Sequence, residues 1–574
     1  MCLAFMLVVM AKLCYLHLGQ HNKVTHEYQR IIEGCRGRIF DRNGDGHPMV
    51  TTIRARRFFL DPGIVSTNHS VTAIASCIAT NLNLDYNEVL GKFSYRDKRW
   101  RDQELAVSDS KEAYENLVLS PDVSGVRAQE VTLRKYPYGS SMAHVLGYLH
   151  GGGTGGAGIE CSYNEDLRPT SGLLESERDG RRRLREINVK RKISAPAIDG
   201  NDVYLTLDHT IQHEVECELQ AVVEKFDALR GWVIVERVKT GEILSMAVYP
   251  SYEPENYRQY EEPQRQNLAI GFCYEPGSVM KAFTVAAYLN ENCGSPNTLF
   301  DTYDGRWSFG GAVLRDHVSG MITTATALKK SSNIACGKMG LALGARRLYT
   351  YLRAFNFGSK IGVELPGEAS GILNRPDKWA KITPTRVAIG QSVSVSGLQL
   401  VAGYSALANG GVMMRPYFVD KVVAANGDLI KQNHPTVMGR PVRPEVARKV
   451  CEMLRGVTEP DGTGRRAIVK GYSVAGKTGT AQKLVRSDPT NPKSKLIYSN
   501  TDYFSSFIGF FPATKPEYTI LVSIDRPRPQ HSGAYVAAPL FSRIVELVAR
   551  HMEVQPDRPQ EIEESERAVT ASYR

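Results

Sequence analysis

The sequence predicts a multidomain α+β protein with an N-terminal membrane helix. Its 574 residues exceed the usual size of one domain, which is about 100–200 residues. The first residues are apolar, and from residue 202 onward strand-like and helix-like segments alternate without an internal repeat. With 42% hydrophobic and 23% charged residues, the composition is that of a globular protein and excludes a collagen-like or broadly disordered chain.

The N-terminal helix is predicted from the apolar run that starts at Met1 and ends at Ala11, before Lys12. A membrane-spanning helix needs about 20 apolar residues, so this run is short. No basic segment precedes it and no small-residue cleavage site follows it, as a signal peptide would require. We therefore expect residues 1–19 to be a partial transmembrane anchor whose true start lies upstream. The alternative is a buried N-terminal helix.

The segment that follows begins with a turn. Asn43-Gly44 and Asp45-Gly46 favour turns between short strands. The same stretch imitates the start of a calcium-binding loop, but its twelfth position is Thr52 rather than the required glutamate. We therefore predict a turn and no metal site. Residues 55–195 mix helical and strand patterns without strong chemistry.

The charge pattern does not support a nucleic-acid partner. The formal net charge of +10 suits an anionic membrane face, an acidic polymer or nucleic acid equally well. Basic residues crowd residues 178–192, but no aromatic side chains alternate with them as in a single-strand binding groove. We predict a solvated edge that faces a membrane or polymer. The 10 cysteines form no C-x-x-C pair and are interpreted as small apolar residues.

From residue 202 the periodicity is clearer. Strands are predicted at 202–207, within 231–248 and at 518–525, and helices at 210–225, 277–291, 322–343, 395–409 and 538–551. Residues 553–574 are polar and are predicted to be disordered.

The first motif that carries chemistry is Ser278-Val279-Met280-Lys281. Glu275-Pro276-Gly277 precedes it and marks the start of a helix. A serine there lies among unpaired backbone N–H groups, and a lysine three residues later lies on the same helix face. A lysine whose pKa is lowered by burial can deprotonate the serine. Alone, the motif equally describes a capping serine and a surface lysine.

Two further motifs follow in the chain. In Ser331-Ser332-Asn333, Ser331 can relay protons and the Asn333 amide can hold a substrate peptide, although such residues also form ordinary caps. The third motif is Lys477-Thr478-Gly479-Thr480. Lys477 and Thr478 can bind a carboxylate, and Gly479 allows a substrate backbone to approach closely. The Thr480 N–H can form an oxyanion hole with the Ser278 N–H. An ordinary turn with a surface lysine is the alternative.

Residues 471–478 also match the phosphate-loop pattern GxxxxGK[ST]. The strand-like ILVSID ending at Asp525 resembles the magnesium-binding strand of such proteins. A phosphate loop must open a helix directly after its lysine, whereas Gly479 and Thr480 follow here. It also leaves Ser278 and Ser331 unexplained, so the nucleotide-binding hypothesis is weak.

Taken together, S-x-x-K, S-x-N and K-T-G in this order are specific for penicillin-recognising serine enzymes. The chain resembles the class B penicillin-binding proteins over nearly its whole length. Further segments carry the likeness: RG at 36–37, DRNG at 41–44, YP at 136–137, HVLGY at 144–148, GIE at 158–160, LPGE at 365–368, ANGG at 408–411 and GFFPA at 509–513. YEPGSVMKAF at 274–283 and VAGKTGTAQK at 474–483 resemble the septal, cell-division branch (penicillin-binding protein 3 type) more than the elongation branch.

Some positions depart from the family pattern. Leu268 stands where the family usually has arginine, and Ser392, Ser396 and Gly397 replace glycine, threonine and proline. The family's basic cytoplasmic tail is missing. None of these departures removes a catalytic group, but the loop near the cleft is expected to differ in shape.

The resemblance implies an elongated, β-rich non-catalytic module over residues 30–198 and a transpeptidase domain over residues 202–552, with an antiparallel sheet flanked by helices. It implies a single-pass protein of the cytoplasmic membrane, with the catalytic domain on the outer side. Expected partners are peptidoglycan stem peptides ending in D-Ala-D-Ala, β-lactams as covalent inhibitors, a septal glycosyltransferase and other division proteins. No metal or organic cofactor is implied.

The resemblance also implies roles for the motif residues. Ser278 would attack the penultimate D-Ala carbonyl, with Lys281 as general base. Ser331 would pass a proton to the leaving D-Ala, Asn333 would orient the acyl group, and Lys477 with Thr478 would hold the terminal carboxylate.

Other functions stay open. An elongation-type transpeptidase is one. A β-lactamase or penicillin sensor is another, although Glu368 and Leu373-Asn374 are spaced wrongly for a deacylation element. A bifunctional polymerase would need a glycosyltransferase motif that the sequence lacks. A non-enzymatic division scaffold would not need the intact Ser278, Lys281 and Lys477.

Overall fold

The computed structural model describes residues 25–561, except for 45, 64, 66–69, 96–101, 180–191, 489 and 492. The predicted anchor at residues 1–19 and the end of the predicted tail lie outside the described residues. Within the described ranges, no helix is long and apolar enough to cross a membrane.

The N-terminal part combines strands and helices. One three-stranded antiparallel sheet contains Thr25–Ile32, Gly172–Asp179 and Lys192–Ala195. In a second, Thr51–Leu60 lies between Gln103–Ser108 and Val126–Lys135. Apolar side chains of this second sheet pack against the neighbouring helices in one core. The helices of this part are Val71–Leu82, Tyr86–Lys92, Lys111–Tyr114, Glu115–Leu119 (a π-helix), Ala143–Leu146, Gly158–Ser162 and Asn164–Leu167.

A buried cluster of charged side chains connects segments of this part of the chain. Glu160 is fully buried and accepts from the Nε atoms of both Arg36 and Arg134, each at 2.7 Å. A buried carboxylate is tolerated only when its charge is paired and hydrogen-bonded. The two guanidinium groups supply both the opposite charge and the hydrogen-bond donors. Glu160 therefore ties together three segments that are distant in sequence.

The C-terminal part is built on a five-stranded antiparallel sheet. In spatial order its strands are Ile243–Tyr249, Arg230–Arg237, Tyr518–Asp525, Leu496–Phe511 and Ala475–Arg486. Helices His209–Lys225 and Gly533–His551 pack on one face, and Gly397–Ala408 packs on the other. The antiparallel sheet between helices is thus present, and Ala475–Arg486 forms one edge of it; we call this strand the edge strand.

Smaller elements complete the fold. Paired strands are Ile39–Phe40 with Asp202–Leu205, Val419–Val423 with Asp202–Leu205 and Leu429–Gln432, Cys273–Tyr274 with Val395–Ser396, Leu299–Asp301 with Met321–Thr323, Arg306–Phe309 with Ala312–Arg315, and Met413–Met414 with Val437–Gly439. The other α-helices are Glu262–Arg265, Leu268–Gly271, Lys281–Asn290, Thr324–Lys329, Asn333–Ala354, Thr383–Val387 and Pro444–Gly456. The 3-10 turns are Phe93–Tyr95, Pro254–Gln259, Gly277–Met280, Pro376–Lys378 and Arg465–Ala467.

Two predictions from the sequence are wrong. The helix predicted at 322–343 is broken, because Ser331 adopts the left-handed conformation (φ 61°) and Ser332 caps a second helix, Asn333–Ala354, which is itself interrupted at the non-helical Gly344 (φ 72°). The predicted disorder does not hold for residues 553–561. There the Asp557 carboxylate accepts from the Ser473 backbone N–H at 2.7 Å, which binds this part of the chain to the domain.

The five-stranded sheet contains one isolated, buried carboxyl group among the described residues. Glu236 is fully buried in the strand Arg230–Arg237, and neither of its oxygens has a hydrogen-bond partner among the described residues. Burial raises the pKa of Glu236 to about 8, against a weak opposing effect of the Ser405 hydroxyl. The group is therefore neutral in the folded protein at neutral pH.

The proton that neutral Glu236 carries makes the stability of the folded protein depend on pH. Because the folded pKa is raised, the stabilisation from the bound proton is complete below about pH 4.5 and is lost as the pH rises through about 8. The loss over that interval is at most about 1.4 kcal/mol per pH unit. We predict that Glu236→Gln, which stays neutral, is less sensitive to pH across this window than the wild type, by chemical denaturation. Equal pH dependence in both proteins would contradict the assignment; exposed Glu262→Gln is the control.

Candidate active site

Ser278 lies at the start of a buried helix. Gly277 has φ 57°, and its N–H donates to the Gly390 carbonyl at 3.1 Å, which fixes the turn before the helix Lys281–Asn290. A Cβ at Gly390 would lie 2.1 Å from the Gly277 oxygen, so only glycine fits there. Ser278 itself is half-buried, and among the described residues its hydroxyl has no hydrogen-bond partner.

Lys281 connects this helix to the second motif. Its side chain is fully buried, and its Nζ donates to the Ser331 carbonyl at 2.6 Å, the Ser331 Oγ at 3.1 Å and the Asn333 Oδ1 at 2.8 Å. Burial lowers the pKa of Lys281, while Cys336 and Asp316 oppose the shift. The structure thus brings Lys281, Ser331 and Asn333 together as predicted.

Lys477 is the second buried lysine of the site. Its Nζ lies 3.2 Å from the Thr478 carbonyl and 3.3 Å from the Thr478 Oγ1. Burial, followed by the nearby charge of Lys281, holds the pKa of Lys477 well below 10.5. Among the described residues no carboxylate lies within ion-pair distance of either lysine. One of the two ammonium groups therefore loses its proton far more easily than a surface lysine does.

The edge strand presents the third motif. Thr478 Oγ1 donates to Thr463 Oγ1 at 3.3 Å, and Thr480 Oγ1 accepts from the Gly533 N–H at 3.1 Å. A Cβ at Gly479 would lie 3.1 Å from the Val279 side chain and 3.4 Å from the Pro276 carbonyl. Gly479 thus lets the edge strand pack tightly against the turn that carries Ser278. Its predicted role in admitting a substrate stays a prediction.

Asp316 organises the second motif and was not predicted. Its carboxylate accepts hydrogen bonds from the Ser332 hydroxyl, from the Asn333 N–H at 3.0 Å and from the Ile334 N–H at 3.2 Å. These groups lie at the first turn of the helix Asn333–Ala354, where N–H groups lack helical partners and the dipole favours an anion. Asp316 therefore holds the segment on which Ser331 and Asn333 lie.

The comparisons with known proteins agree with this geometry. Residues 231–546 match the penicillin binding protein transpeptidase domain, and residues 31–205 match the penicillin-binding protein dimerisation domain. The chain belongs to the class B penicillin-binding proteins.

Similar proteins share this organisation. Stage V sporulation protein D of Bacillus subtilis is 31% identical over 96% of this chain and 85% of its own length. The probable peptidoglycan D,D-transpeptidase PenA of Neisseria gonorrhoeae is 30% identical over 82% of this chain and 76% of its length. Penicillin-binding protein 3 of Mycobacterium tuberculosis, in complex with aztreonam, superimposes with a TM-score of 0.69 at 28% identity, over 92% of this chain and 99% of that one.

The departures from the family pattern are absorbed locally in this penicillin-binding protein. Ser392, in place of glycine, adopts φ 59°, and its N–H donates to Glu275 at 2.8 Å. Ser396, in place of threonine, caps the helix Gly397–Ala408 in a reciprocal pair with Gln399. Leu268 is buried in the main core. None of these residues displaces a motif residue.

The nucleotide-binding alternative fails on local structure. Lys477 lies inside a strand, whereas a phosphate loop must open a helix at that point. Asp525, the candidate magnesium ligand, instead pairs with Arg230 and Lys483.

We predict that Asp316→Asn destabilises the protein by about 1–2 kcal/mol, because an amide replaces the anion at three donors. It should also slow acylation by penicillin about tenfold or more, since Ser331 and Asn333 lose their support. Thermal unfolding and stopped-flow acylation measure the two effects. The control is Asp304→Asn, at an exposed position of the neighbouring turn. Unchanged acylation in Asp316→Asn would show that the carboxylate does not position the motif.

Proposed function

We propose that this chain is a peptidoglycan D,D-transpeptidase that cross-links stem peptides during septal cell-wall synthesis. One observation carries the proposal: Lys281, three residues after Ser278, is buried without a counter-ion among the described residues, and its Nζ connects Ser331 with Asn333. Burial lowers the pKa of this lysine, and its neutral form can accept the proton of a serine nucleophile. The family membership and the relative named as a D,D-transpeptidase support it.

In the first half-reaction the Ser278 Oγ attacks the carbonyl carbon of the penultimate D-Ala, and Lys281 takes the hydroxyl proton. The C–N bond to the terminal D-Ala breaks, and Ser331 returns a proton to the leaving amine. Asn333 orients the acyl chain. Backbone N–H groups of Ser278 and Thr480 stabilise the oxyanion, each worth about 10²–10³-fold in rate.

The terminal carboxylate of the donor binds the third motif. Lys477 supplies the charge, and Thr478 supplies a hydroxyl that already lies 3.3 Å from the Lys477 Nζ. The same arrangement suits the carboxylate of a β-lactam. An amine of a second stem peptide then attacks the acyl carbon and releases Ser278.

The septal role is supported by the two segments that resemble the cell-division branch and by the neighbour named penicillin-binding protein 3. On this proposal residues 1–19 belong to a single-pass anchor in the cytoplasmic membrane. Residues 30–198 form the non-catalytic module that meets a septal glycosyltransferase and other division proteins, and residues 202–552 form the outward-facing transpeptidase domain.

Labelling with a fluorescent penicillin tests the nucleophile. The wild type should form a stable adduct because the acyl-enzyme resists water, and Ser278→Ala should form none. Gel fluorescence and intact mass measure it. Labelling that survives the substitution would refute the assignment, and rapid turnover of the drug by the wild type would favour a β-lactamase.

The lysine pair should give the acylation rate a bell-shaped dependence on pH. The rising limb reflects loss of the first proton from the pair, which creates the neutral base, and the falling limb reflects loss of the second, which removes the charge that holds the carboxylate. Both apparent pKa values should lie below 10.5, the ordinary value for lysine. Lys281→Met should lose at least about 10²-fold in rate, whereas exposed Lys378→Met should not. A rate independent of pH would count against a lysine base.

A further inference from the structure

A cavity borders the turn that carries Ser278. It is a groove of about 380 Å³ that continues along the edge strand past Thr480. Gln482, two residues beyond Thr480 on the edge strand, and Glu275, three residues before Ser278, both line it. Two strand residues rise about 7 Å, so the groove adjoins the place where the acyl group is held. We call it the lateral groove.

The walls of the lateral groove are mainly apolar and aromatic. Tyr274 and Phe504 pack against each other with ring centroids 4.8 Å apart. Ile372 and Leu484 line it while remaining 59% and 43% exposed. These surfaces suit an alkyl chain that enters from solvent.

Glu275 gives the lateral groove a negative charge. Its carboxylate accepts from the Ser392 N–H at 2.8 Å and from the Tyr498 hydroxyl at 3.0 Å, but among the described residues no lysine or arginine pairs with it. Burial raises the pKa of Glu275, and the two hydrogen bonds oppose the shift. The groove's other charged residue, Lys483, is already paired with Asp525. A half-buried carboxylate without a counter-cation favours a ligand that brings one.

We propose that the lateral groove binds the acceptor of the second half-reaction, an alkyl chain that ends in a primary amine, and that Glu275 attracts its ammonium. This inference rests on the proposed transpeptidase function. The charges on the two sides of Ser278 favour it: Lys477 on the edge strand attracts the donor carboxylate, and Glu275 in the lateral groove repels a carboxylate and attracts an ammonium. The donor and the acceptor are thereby directed to opposite ends of the cleft.

The transfer step balances as follows. The ammonium first releases one proton to solvent. The amine nitrogen then forms a bond to the acyl carbon, and the bond from that carbon to the Ser278 Oγ breaks. The second proton lost by the nitrogen passes to the Ser278 Oγ, which restores the hydroxyl. Glu275 acts on binding and touches none of the bonds that change.

The test measures how the acyl-enzyme divides between amine and water. The full-length protein is acylated with a thioester analogue of the donor in the presence of N-acetylcadaverine, an alkyl primary amine without a carboxylate. Mass spectrometry gives the ratio of amide to acid products, which is independent of the acylation rate. At subsaturating amine, Glu275→Gln should lower this ratio by about two- to fivefold, the range expected for one ion pair near the surface.

Two further variants sharpen the result. Ile372→Lys, at an exposed position of the lateral groove, should lower the ratio as well, because it adds a cation that repels the ammonium. Exposed Glu262→Gln removes the same charge outside the groove and should leave the ratio at the wild-type value. If neither groove variant changes the ratio while the wild type is acylated by penicillin, the acceptor site lies elsewhere. If the wild type is not acylated by penicillin, the proposed function itself fails.

Discussion

The arrangement of the motif residues depends on the hydrogen bonds that a single buried lysine donates. Lys281 can remain in the protein interior only because the Ser331 carbonyl, the Ser331 hydroxyl and the Asn333 amide oxygen surround its Nζ. Burying a lysine without such acceptors would destabilise the folded protein by several kcal/mol. The same contacts fix the distance between the helix that carries Lys281 and the second motif, so the hydrogen bonding of one buried amino group also sets the geometry of the candidate site.

This requirement explains local features that otherwise oppose regular structure. Ser331 can offer its carbonyl to Lys281 because the backbone turns through φ 61° there and interrupts two helices. That conformation is unfavourable for a residue with a side chain, and Asp316 offsets it by binding the first turn of the next helix. Ser332 completes the restart as its cap. Ser331, with its strained backbone, and the stabilising residues Asp316 and Ser332 therefore act together to hold Lys281.

Periodicity and motif order were enough to predict much of this protein. The strand Tyr518–Asp525 was predicted with its observed bounds because both of its faces are buried, which gives a continuous apolar run. The three motifs identified Lys281, Ser331, Asn333 and Lys477, which lie together. Asp316 could not be predicted in the same way. The Gly310-Gly311 turn before Asp316 signals a hairpin, but the contacts of Asp316 with Ser332 and Asn333 are tertiary. The order of residues 553–561 also comes from tertiary contacts, although their polar composition is typical of a disordered segment.

The opposite charges of Lys477 and Glu275 bear on how one site can bind two peptides. The amine that leaves and the amine that enters must use the same position at the acyl carbon, because the two half-reactions are chemically the reverse of each other. The chains attached to those amines cannot then be distinguished at the reacting atoms. They can be distinguished where Lys477 and Glu275 offer opposite charges on either side of Ser278. On the proposed mechanism, a released D-Ala is therefore disfavoured in the lateral groove, and an alkyl ammonium is disfavoured beside Lys477.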